Sequence, residues 1–496
     1  MHPLSFALIP LLLPVSLSQS LPSYSGAYGV GLVDIEVPVQ NPRNITNTTF
    51  TSNGQPAWFL QTVLFSLYYP IAPGTNSSAP PHPWIGDPVD CVAAGIVLYA
   101  NSSTLTDDLV STALNSVAGS VNIPAQADTP LVKGTSPLPV LLFSVGDISL
   151  RTWYSQYAGF LAANGIVTAV IEHRDGSLAC SVVEENGQPN RTVQYIQASQ
   201  LSAPVSGNTT EMIMEQRSFR QAEVEETVRV LQSLNAGRGQ QIHQNNSRNE
   251  GQYLTSFANR LDFTALVMGG HSFGATLALQ ALSDSSIPAR AGLAFDPGKS
   301  SGPLNSNFNQ SVLIPDSESW SSQPAEFYGQ QHFDVVKGIA QSALDRTGFS
   351  WFMTLLGTAH TSITDAPLLV GSSLLGFFDP TAVNISLGNA GTNIQQYVTV
   401  STEFFNFLRN GTRSGILASG VTAPEFVAIN LNASNAQGMF NGWEIHVAPS
   451  RGTNTSASAS TSAPAPTSTF KSAAPLTSCS LVAFLLAMLA MLSSFL

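Results

Sequence analysis

Charged residues are scarce in this chain of 496 residues, in which Asp, Glu, Lys and Arg together make up 10% against 43% for hydrophobic residues. Acidic residues outnumber basic ones, which gives a formal net charge of −12. Because such a surface repels a phosphate backbone, nucleic acid is excluded as a partner. The high apolar content excludes global disorder and predicts a sizeable core.

Cysteine is also scarce, with three residues in the whole chain. The sequence has neither a Cys-x-x-Cys pair nor a His/Cys cluster at metal-ligand spacing, so we expect no metal site and no cofactor. Cys479 lies in the apolar tail at the C-terminus. Cys91 and Cys180 are a possible disulfide, which an oxidising compartment permits but which the sequence does not decide.

The N-terminus favours secretion, because an apolar run from Leu4 to Leu17 is followed by small residues, as in a signal peptide over residues 1–20. The alternative is a buried N-terminal helix, which the prolines of this segment disfavour. Glycosylation acceptors of the Asn-x-Ser/Thr type are spread along the chain. These acceptors are Asn44, Asn47, Asn76, Asn101, Asn190, Asn208, Asn245, Asn309, Asn384, Asn410, Asn432 and Asn454.

The C-terminus predicts a tether to a membrane. Residues 451–472 are rich in Ser, Thr, Ala and Pro, which is typical of an extended stalk. Residues 473–496 combine small residues, a short spacer and an apolar run from Leu481 to Leu492, the pattern of a removable GPI-anchor signal. The alternative is a membrane-spanning helix, for which this run is short. We therefore expect a secreted protein on the cell surface, anchored by lipid to the outer face of the plasma membrane.

Residues 21–450 contain no internal repeat and no long linker, which predicts one domain. Short apolar runs that alternate with helical stretches favour an α/β fold with a mostly parallel central sheet and helices on both faces. The predicted strands are Val63–Tyr69, Gly95–Tyr99, Val140–Ser144, Ile166–Ile171, Thr264–Met268 and Ala291–Phe295. The predicted helices are Tyr154–Ala163, Met212–Leu234 and Phe273–Leu282.

Several polar segments have plain structural interpretations. Ser177–Thr210 and Ala236–Tyr253 are expected to be surface loops. His173 and Arg174 lie at a strand end and are expected to be salt-bridge partners. The long predicted helix carries a group of glutamates that we interpret as a solvated face and not as a carboxylate site. These glutamates are Glu223, Glu225 and Glu226.

The strongest motif is Gly270-His271-Ser272-Phe273-Gly274, which lies between a predicted strand and a predicted helix. A Gly-x-Ser-x-Gly segment in this context is a nucleophile elbow, a tight turn that pushes the serine hydroxyl out over the sheet edge. The flanking Gly270 and Gly274 allow backbone to approach closely. Ser272 is therefore the predicted nucleophile, and the Phe273 N–H is a predicted oxyanion donor.

The acid and the base of such an enzyme follow the serine in the order Asp, His. Asp296 ends an apolar strand and is the predicted acid, whereas its rival Asp284 lies in a polar turn and is better explained as a solvated charge or a cap. For the base we predict His360, which follows a strand-like run in a loop of small residues. The rivals are His332, interpreted as a surface residue, and His446, near the end of the domain.

These segments resemble the secreted platelet-activating-factor acetylhydrolases, also classed as calcium-independent group VII phospholipases A2. The likeness is carried by residues 270–274, 294–297 and 357–365, and upstream by residues 143–152 and 172–177. It covers most of the chain between Val63 and Asp365. The resemblance implies the α/β-hydrolase fold, with Ser272 as nucleophile, Asp296 as the acid and His360 as the base.

The chain departs from this family in the oxyanion loop. Where the family has Ser-His-Gly, an apolar residue and another Gly, this chain has Ser-Val145-Gly-Asp147-Ile148. The Asp147 N–H can still donate to an oxyanion, but its carboxylate opposes the developing charge unless it turns away or is paired. Arg151, four residues on, is the predicted partner of an outward-facing Asp147.

The sequence thus predicts a serine carboxylic-ester hydrolase that acts through an acyl-enzyme. The resemblance implies phospholipids with a short or oxidised sn-2 chain as substrates, close to 1-alkyl-2-acetylglycerophosphocholine. Two alternatives stay open: a general secreted esterase or lipase acting on another small acyl ester, and a catalytically silent surface protein that keeps the hydrolase fold.

Overall fold

The computed structural model describes residues 20–101, 105–370, 388–427 and 442–450. The predicted stalk and C-terminal tail, and residues 1–19 of the predicted signal peptide, lie outside the described residues. Within these ranges no helix has both the length and the apolar character needed to cross a membrane.

The described residues form fourteen strands, ten α-helices and short 3₁₀ turns. The strands are β1 (Gly29–Asn44), β2 (Phe59–Ile71), β3 (Gln126–Ala127), β4 (Leu138–Ser144), β5 (Val167–Glu172), β6 (Cys180–Val183), β7 (Arg191–Gln194), β8 (Leu261–His271), β9 (Ala291–Phe295), β10 (Ser311–Ser317), β11 (Glu326–Phe327), β12 (Gln330–Gln331), β13 (Trp351–Leu355) and β14 (Trp443–Val447).

The helices are α1 (Val89–Ala100), α2 (Asp107–Ala118), α3 (Ser155–Ala163), α4 (Thr209–Asn235), α5 (Gly239–Asn245), α6 (Phe273–Ala281), α7 (Glu318–Ser322), α8 (His332–Thr347), α9 (Ala366–Val370) and α10 (Ala390–Asn410). The 3₁₀ turns are Arg151–Tyr154, Ala198–Gln200, Leu254–Phe257, His360–Ile363 and Gly415–Ala418.

One ten-stranded sheet organises the molecule, in the order β14-β13-β10-β9-β8-β4-β5-β2-β1-β3. Its central strands β5, β4, β8, β9, β10 and β13 run parallel, whereas β2 and β14 pair antiparallel with them. The other two sheets are the hairpins β6–β7 and β11–β12. A mostly parallel sheet was predicted and is confirmed.

Helices cover both faces of the sheet. Successive side chains of a strand point to opposite faces, so neighbouring residues pack in different core layers. Phe143 of β4 packs in the core layer formed with α3 and α10. Leu142, its neighbour, packs in the opposite layer with α4, α6 and α8. Strands buried on both sides explain why these segments are continuous apolar runs rather than alternating ones.

The predicted elements are largely present, with one clear error. Residues Gly95–Tyr99 were predicted as a strand but form the C-terminal half of α1. A short apolar run fits a buried strand and a buried helix equally well, so periodicity alone does not separate them. The two predicted surface loops also contain regular structure, since β6, β7 and α5 lie within them.

Helix α4 corrects the interpretation of its glutamates. Glu223 is fully buried, and its carboxyl accepts a hydrogen bond from the Arg174 backbone N–H at 2.9 Å and pairs with His173 at 2.7 Å. Glu226 is also buried, whereas Glu225 is half-buried. The predicted solvated face is therefore wrong for Glu223, which the segment after β5 covers, and for Glu226, which pairs with Arg43 of β1 at 3.3 Å. Arg174 forms the predicted salt bridge, with Glu36 at 2.7 Å, whereas His173 is hydrogen-bonded to Glu223 with its pKa lowered by burial.

Candidate active site

Ser272 lies at the turn between β8 and α6, with φ 56° and ψ −121°. A positive φ is rare for a residue with a side chain and stores strain at this position. The glycines on either side make the turn possible. A Cβ at Gly270 would collide with the carbonyl of Gly274, and one at Gly274 would collide with the carbonyl of Ser144. The predicted elbow is thus present, with Ser272 at its apex.

Asp296 and His360 meet beside this turn. Asp296 follows β9 and His360 lies beyond β13, two parallel strands whose carboxyl ends share an edge with β8. The His360 Nδ1 and Asp296 Oδ2 atoms are 2.9 Å apart. The Ser272 N–H also donates to the carbonyl of Phe295 at 3.0 Å, which joins the elbow to the segment that carries the acid.

The Asp296 carboxyl is held from its other side by Ser317. The Ser317 backbone N–H donates to Oδ1 at 2.6 Å, and its hydroxyl donates to Oδ2 at 2.7 Å. Burial raises the pKa of Asp296 to about 6, and the two hydrogen bonds from Ser317 act in the opposite direction. The carboxyl is therefore fixed in one orientation toward His360.

The His360 ring is held by a neighbour that the sequence did not point to. The indole of Trp320 stacks on the imidazole, with ring centroids 3.8 Å apart and planes 11° apart. The backbone N–H of His360 donates to the Ser319 hydroxyl at 2.9 Å. Residues 317–320, where β10 ends and α7 begins, thus contact both Asp296 and His360. One short segment supports the acid and the base together.

The Ser272 hydroxyl has no hydrogen-bond partner within the described ranges, although it lies on the same sheet edge as His360. Catalytic hydrogen bonds are often long in free enzymes and tighten when substrate binds. The arrangement brings all three predicted groups to one edge and leaves the serine hydroxyl available to a substrate.

The predicted oxyanion donors lie beside the elbow. Gly146 packs so close to the serine that a Cβ placed on it would lie 3.3 Å from the Cβ of Ser272. Phe273 is the first residue of α6, where backbone N–H groups have no partner inside the helix. Asp147 is the next residue after Gly146. These positions fit the prediction that Phe273 and Asp147 supply the donors, which stays a prediction.

Arg220 supports this loop from behind. Its guanidinium donates to the carbonyl of Val145 at 2.7 Å, pairs with Asp175 at 2.8 Å and lies 4.2 Å from the ring centroid of Phe273. A single buried cation thus contacts both segments that carry the predicted oxyanion donors. The sequence offered no signal for this role, since Arg220 is one of many charges on α4.

The predicted pairing of Asp147 with Arg151 is wrong. Arg151 is buried and its guanidinium contacts Asp34, Glu172 at 3.3 Å and Asp87 at 3.8 Å. Asp147 instead accepts a hydrogen bond from the N–H of the next residue at 3.1 Å. Burial raises its pKa to about 7, while the charge of Arg220 acts in the opposite direction. Asp34 of β1 and Glu172 of β5 are buried carboxylates that need an opposite charge, and Arg151 provides it.

His271, inside the elbow motif, links the two halves of the site. Its Nδ1 lies 2.9 Å from the hydroxyl of Tyr154, which also accepts from the Gly146 N–H at 3.1 Å. Its Nε2 lies 2.9 Å from the carbonyl of His360. Burial lowers the pKa of His271 to about 3, so the ring is neutral. A hydrogen-bond chain therefore joins the oxyanion loop to the loop of the base.

The rival residues lie elsewhere. Asp284 lies in the turn after α6, where it accepts hydrogen bonds from Ser286. His332 begins α8 and is buried, so its interpretation as a surface residue is wrong. His446 lies in β14, where its Nε2 is 2.8 Å from the hydroxyl of Thr354. Neither histidine contacts Asp296 in the described part of the chain.

His271, Asp296 and His360 also offer ligand atoms within 4.8 Å of one another, which is close enough for a metal ion. Both ring nitrogens of His271 and the Asp296 carboxyl already have hydrogen-bond partners in the protein. The cluster is thus accounted for by hydrogen bonding. The absence of a metal and of a cofactor stays a prediction.

Cys91 of α1 and Cys180 of β6, the possible disulfide of the sequence, are bonded to each other, with Cα atoms 5.7 Å apart. The bond ties the helix that carries Tyr99 to the hairpin after β5. The sequence could not establish this, because 89 positions separate the two residues.

The sheet order and the serine elbow define an α/β hydrolase. Among solved structures, a ferulic acid esterase from Streptomyces cinnamoneus superimposes with a TM-score of 0.50 at 17% identity and covers 80% of this chain and 94% of its own. At this identity the likeness shows the fold. The family model described as "Platelet-activating factor acetylhydrolase, isoform II" matches residues 14–409, and the chain belongs to that family.

Curated relatives agree with this membership. A platelet-activating factor acetylhydrolase of Cavia porcellus is 26% identical over 282 residues, which cover 56% of this chain and 55% of the relative. One of Canis lupus familiaris is 27% identical over 291 residues, 58% of this chain and 57% of the relative. The aligned region thus spans about half the length of these relatives.

Proposed function

We propose that the protein is a serine carboxylic-ester hydrolase that acts through an acyl-enzyme. The observation that carries the proposal is the Asp296–His360 contact of 2.9 Å beside a serine held at positive φ between a strand and a helix. This combination supports Ser272 as the nucleophile, His360 as the base and Asp296 as the group that orients the base.

The reaction follows from these positions. The Ser272 Oγ attacks the ester carbonyl carbon while His360 takes the hydroxyl proton, and the carbonyl oxygen becomes an oxyanion that accepts from the Phe273 and Asp147 N–H groups. His360 then gives the proton to the leaving alcohol as the C–O bond breaks. In the second half, water attacks the acyl carbon as His360 takes its proton, and His360 then gives that proton to the Ser272 Oγ as the acyl C–O bond breaks, which releases the acid. Asp296 stabilises the imidazolium throughout.

We further propose phospholipids with a short or oxidised sn-2 chain as substrates. Family membership and the names of the curated relatives support this class. The test is hydrolysis of phosphatidylcholines with sn-2 chains from two to sixteen carbons, with and without a calcium chelator. We expect kcat/KM to fall steeply beyond a few carbons and to be unaffected by the chelator. A calcium requirement, or a preference for long unmodified chains, contradicts the proposal.

The two alternatives have separate tests. A general esterase would hydrolyse simple acyl esters at least as well as the phospholipid series. A catalytically silent surface protein would not react with a fluorophosphonate probe, whereas we expect the probe to label wild type and not Ser272→Ala. Wild type and the variant are compared by thermal unfolding, so that loss of labelling is separated from loss of fold.

For localisation, we propose an extracellular protein held by a GPI anchor. The apolar run between Leu481 and Leu492, the Ser/Thr-rich residues 451–472 and the Cys91–Cys180 bond support it, because disulfides persist in oxidising compartments. Phosphatidylinositol-specific phospholipase C should release the protein from intact cells. Recovery of the Leu481–Leu492 peptide from the mature protein would show a spanning helix instead.

A further inference from the structure

The peptide bond between Val145 and Gly146 is held at both of its polar atoms. Arg220 donates to its carbonyl oxygen at 2.7 Å, and its N–H donates to the Tyr154 hydroxyl at 3.1 Å. The side chains of Val145, Tyr154 and Arg220 are fully buried, so bulk water does not compete for these contacts. The held peptide directly precedes Asp147, whose N–H is a predicted oxyanion donor.

The hydrogen bonds of the loop leave the Asp147 N–H available. On one side of it the Gly146 N–H is taken by Tyr154, and on the other side the Ile148 N–H donates to the carbonyl of Ser177 at 2.8 Å. In the part of the chain that the structure describes, the Asp147 N–H itself has no hydrogen-bond partner. Tyr154 therefore occupies the neighbouring donor and leaves the predicted one for a substrate oxygen.

The direction of the hydrogen bonds follows from their far end. The Nε2 atom of His271 lies 2.9 Å from the carbonyl oxygen of His360. A carbonyl only accepts, so Nε2 carries the hydrogen. Burial lowers the pKa of His271 to about 3, so the ring is neutral and its Nδ1 is an acceptor. The Tyr154 hydroxyl, 2.9 Å from Nδ1, is therefore the donor to His271.

The Tyr154 hydroxyl uses all of its hydrogen-bonding capacity. A hydroxyl has one hydrogen and two lone pairs. The hydrogen goes to His271, and the lone pairs accept from the Gly146 N–H and from the Ser149 hydroxyl at 3.2 Å. Burial raises the pKa of Tyr154 to about 12, so the hydroxyl keeps its proton. A chain of fixed direction thus runs from Gly146 through Tyr154 and His271 to the backbone of His360.

We propose that Tyr154 is a positioning residue of the hydrolysis reaction. Its hydroxyl sets the oxyanion loop against Ser272 through Gly146, and it sets the backbone of the base His360 through His271. Because Tyr154 is fully buried, it acts through these neighbours and not on the substrate. Oxyanion donors and a base out of place weaken the transition state and not ground-state binding. This inference rests on the proposed hydrolase function and adds the residue that joins the two halves of the site.

The first test is Tyr154→Phe, which removes only the hydroxyl. On p-nitrophenyl butyrate we expect kcat to fall about 10- to 100-fold with KM within about threefold, because a small displacement of catalytic groups costs this much. The matched control is Tyr157→Phe, three residues on and equally buried, whose hydroxyl is 2.8 Å from that of Ser401. The control should keep kcat within about threefold. Thermal unfolding of both variants shows whether each is folded.

The second test separates positioning from a general loss of structure. A trifluoromethyl ketone binds as a hemiketal, in which the Ser272 Oγ adds to the carbonyl carbon, the hydroxyl proton moves to His360 and the carbonyl oxygen becomes an oxyanion. In Tyr154→Phe its affinity should fall by the same factor as kcat/KM. The matching methyl ketone, which binds as the carbonyl, should keep its affinity within about threefold. A purely structural role would change both affinities alike.

The outcomes distinguish this inference from the proposed function. A kcat for Tyr154→Phe equal to that of Tyr157→Phe, or equal changes for the two ketones, overturns the positioning role while the hydrolase function stands. If Tyr154→Phe does not fold, the ring ¹⁵N shifts of wild-type His271 decide, because a hydrogen on Nε2 supports the chain and a hydrogen on Nδ1 overturns it. Wild type that neither hydrolyses esters nor binds the trifluoromethyl ketone contradicts the hydrolase function itself.

Discussion

Two Ser–His–carboxyl arrangements can be compared among the described residues, and the one with more hydrogen bonds is not at the elbow. In the buried arrangement, the Ser144 hydroxyl is 2.7 Å from His173 Nε2, and His173 Nδ1 is 2.7 Å from the Glu223 carboxyl. In the arrangement at the elbow, Asp296 and His360 are 2.9 Å apart, and the Ser272 hydroxyl has no partner in the described part of the chain. Hydrogen-bond distances alone would select Ser144 and not the predicted nucleophile Ser272.

Access and backbone geometry separate the two arrangements. The side chain of His173 is 0% exposed and that of His360 is 18% exposed. Ser144 ends a strand of the central sheet and is fully buried, whereas Ser272 is strained at the start of a helix. An ester cannot reach Ser144. A hydrogen-bonded triad therefore becomes an active site only where a substrate can reach the serine and donors surround the oxyanion.

Protonation differs as well. Burial lowers the pKa of His173 well below its usual value and raises that of Glu223 well above. Both shifts favour the uncharged forms of the pair, and the contact is a hydrogen bond inside the core. Such a contact stabilises the fold, because leaving either group without a partner costs about 1–3 kcal/mol.

The largest contrast is expected from the two serines. Ser272→Ala should lower kcat by about 10⁶-fold, because the nucleophile is lost, with little change in thermal stability. Ser144→Ala should keep fluorophosphonate labelling and destabilise the protein by about 1–3 kcal/mol, because it leaves the buried His173 Nε2 without a partner. Steady-state kinetics and denaturant unfolding measure both. Loss of labelling in folded Ser144→Ala would show that the buried arrangement takes part in catalysis.

The two carboxyl groups provide the next contrast. Asp296→Asn should lower kcat by about 10⁴-fold, because an amide cannot stabilise the imidazolium and favours the wrong tautomer. Glu223→Gln should keep kcat within about threefold, because the amide has nearly the same shape and can keep a hydrogen bond to the buried His173. Equal losses in the two variants would contradict the assignment of Asp296 as the orienting acid.

Trp320 tests whether His360 needs external support. Trp320→Leu should lower kcat by roughly 10- to 100-fold with KM nearly unchanged, because the imidazole loses the ring that fixes its plane. Trp320→Phe keeps an aromatic face and should recover most of the rate. Thermal unfolding of both variants is the control. A change in KM alone would show that Trp320 contacts substrate and does not position the base.

The smallest expected effect concerns the pH dependence of the oxyanion loop. With a pKa of about 7, Asp147 is neutral below that pH and negatively charged above it. Because the charge opposes the oxyanion, the rate of Asp147→Asn relative to wild type on a neutral ester should rise as pH increases through about 7. A rise of about tenfold corresponds to about 1.4 kcal/mol of repulsion in the transition state. Titration of the shared base cancels in this ratio, and a ratio that is constant from pH 5.5 to 8.5 contradicts the prediction.

Local sequence patterns were sufficient to predict the elements whose structure depends on residues that are close along the chain. The elbow around Ser272 was predictable because a strand, a strained turn and a helix must follow one another there, with glycine where backbone is crowded. The proximity of Asp296 and His360 was predictable because parallel strands deliver their carboxyl ends to one edge of the sheet. Periodicity identified the strands that are buried on both faces, and it failed at Gly95–Tyr99, where a short apolar run fits a helix equally well.

The tertiary structure alone decided the partners of charged and aromatic groups. Arg151 was paired in sequence reasoning with its neighbour Asp147, but it lies with Asp34 and Glu172, more distant in the chain. Glu223 was placed in solvent by helical periodicity, and the segment after β5 buries it. The stack of Trp320 on His360 has no sequence signature. Such contacts join residues from separate elements, and buried charges select whichever opposite charge the fold brings within reach, so spacing along the chain carries no information about them.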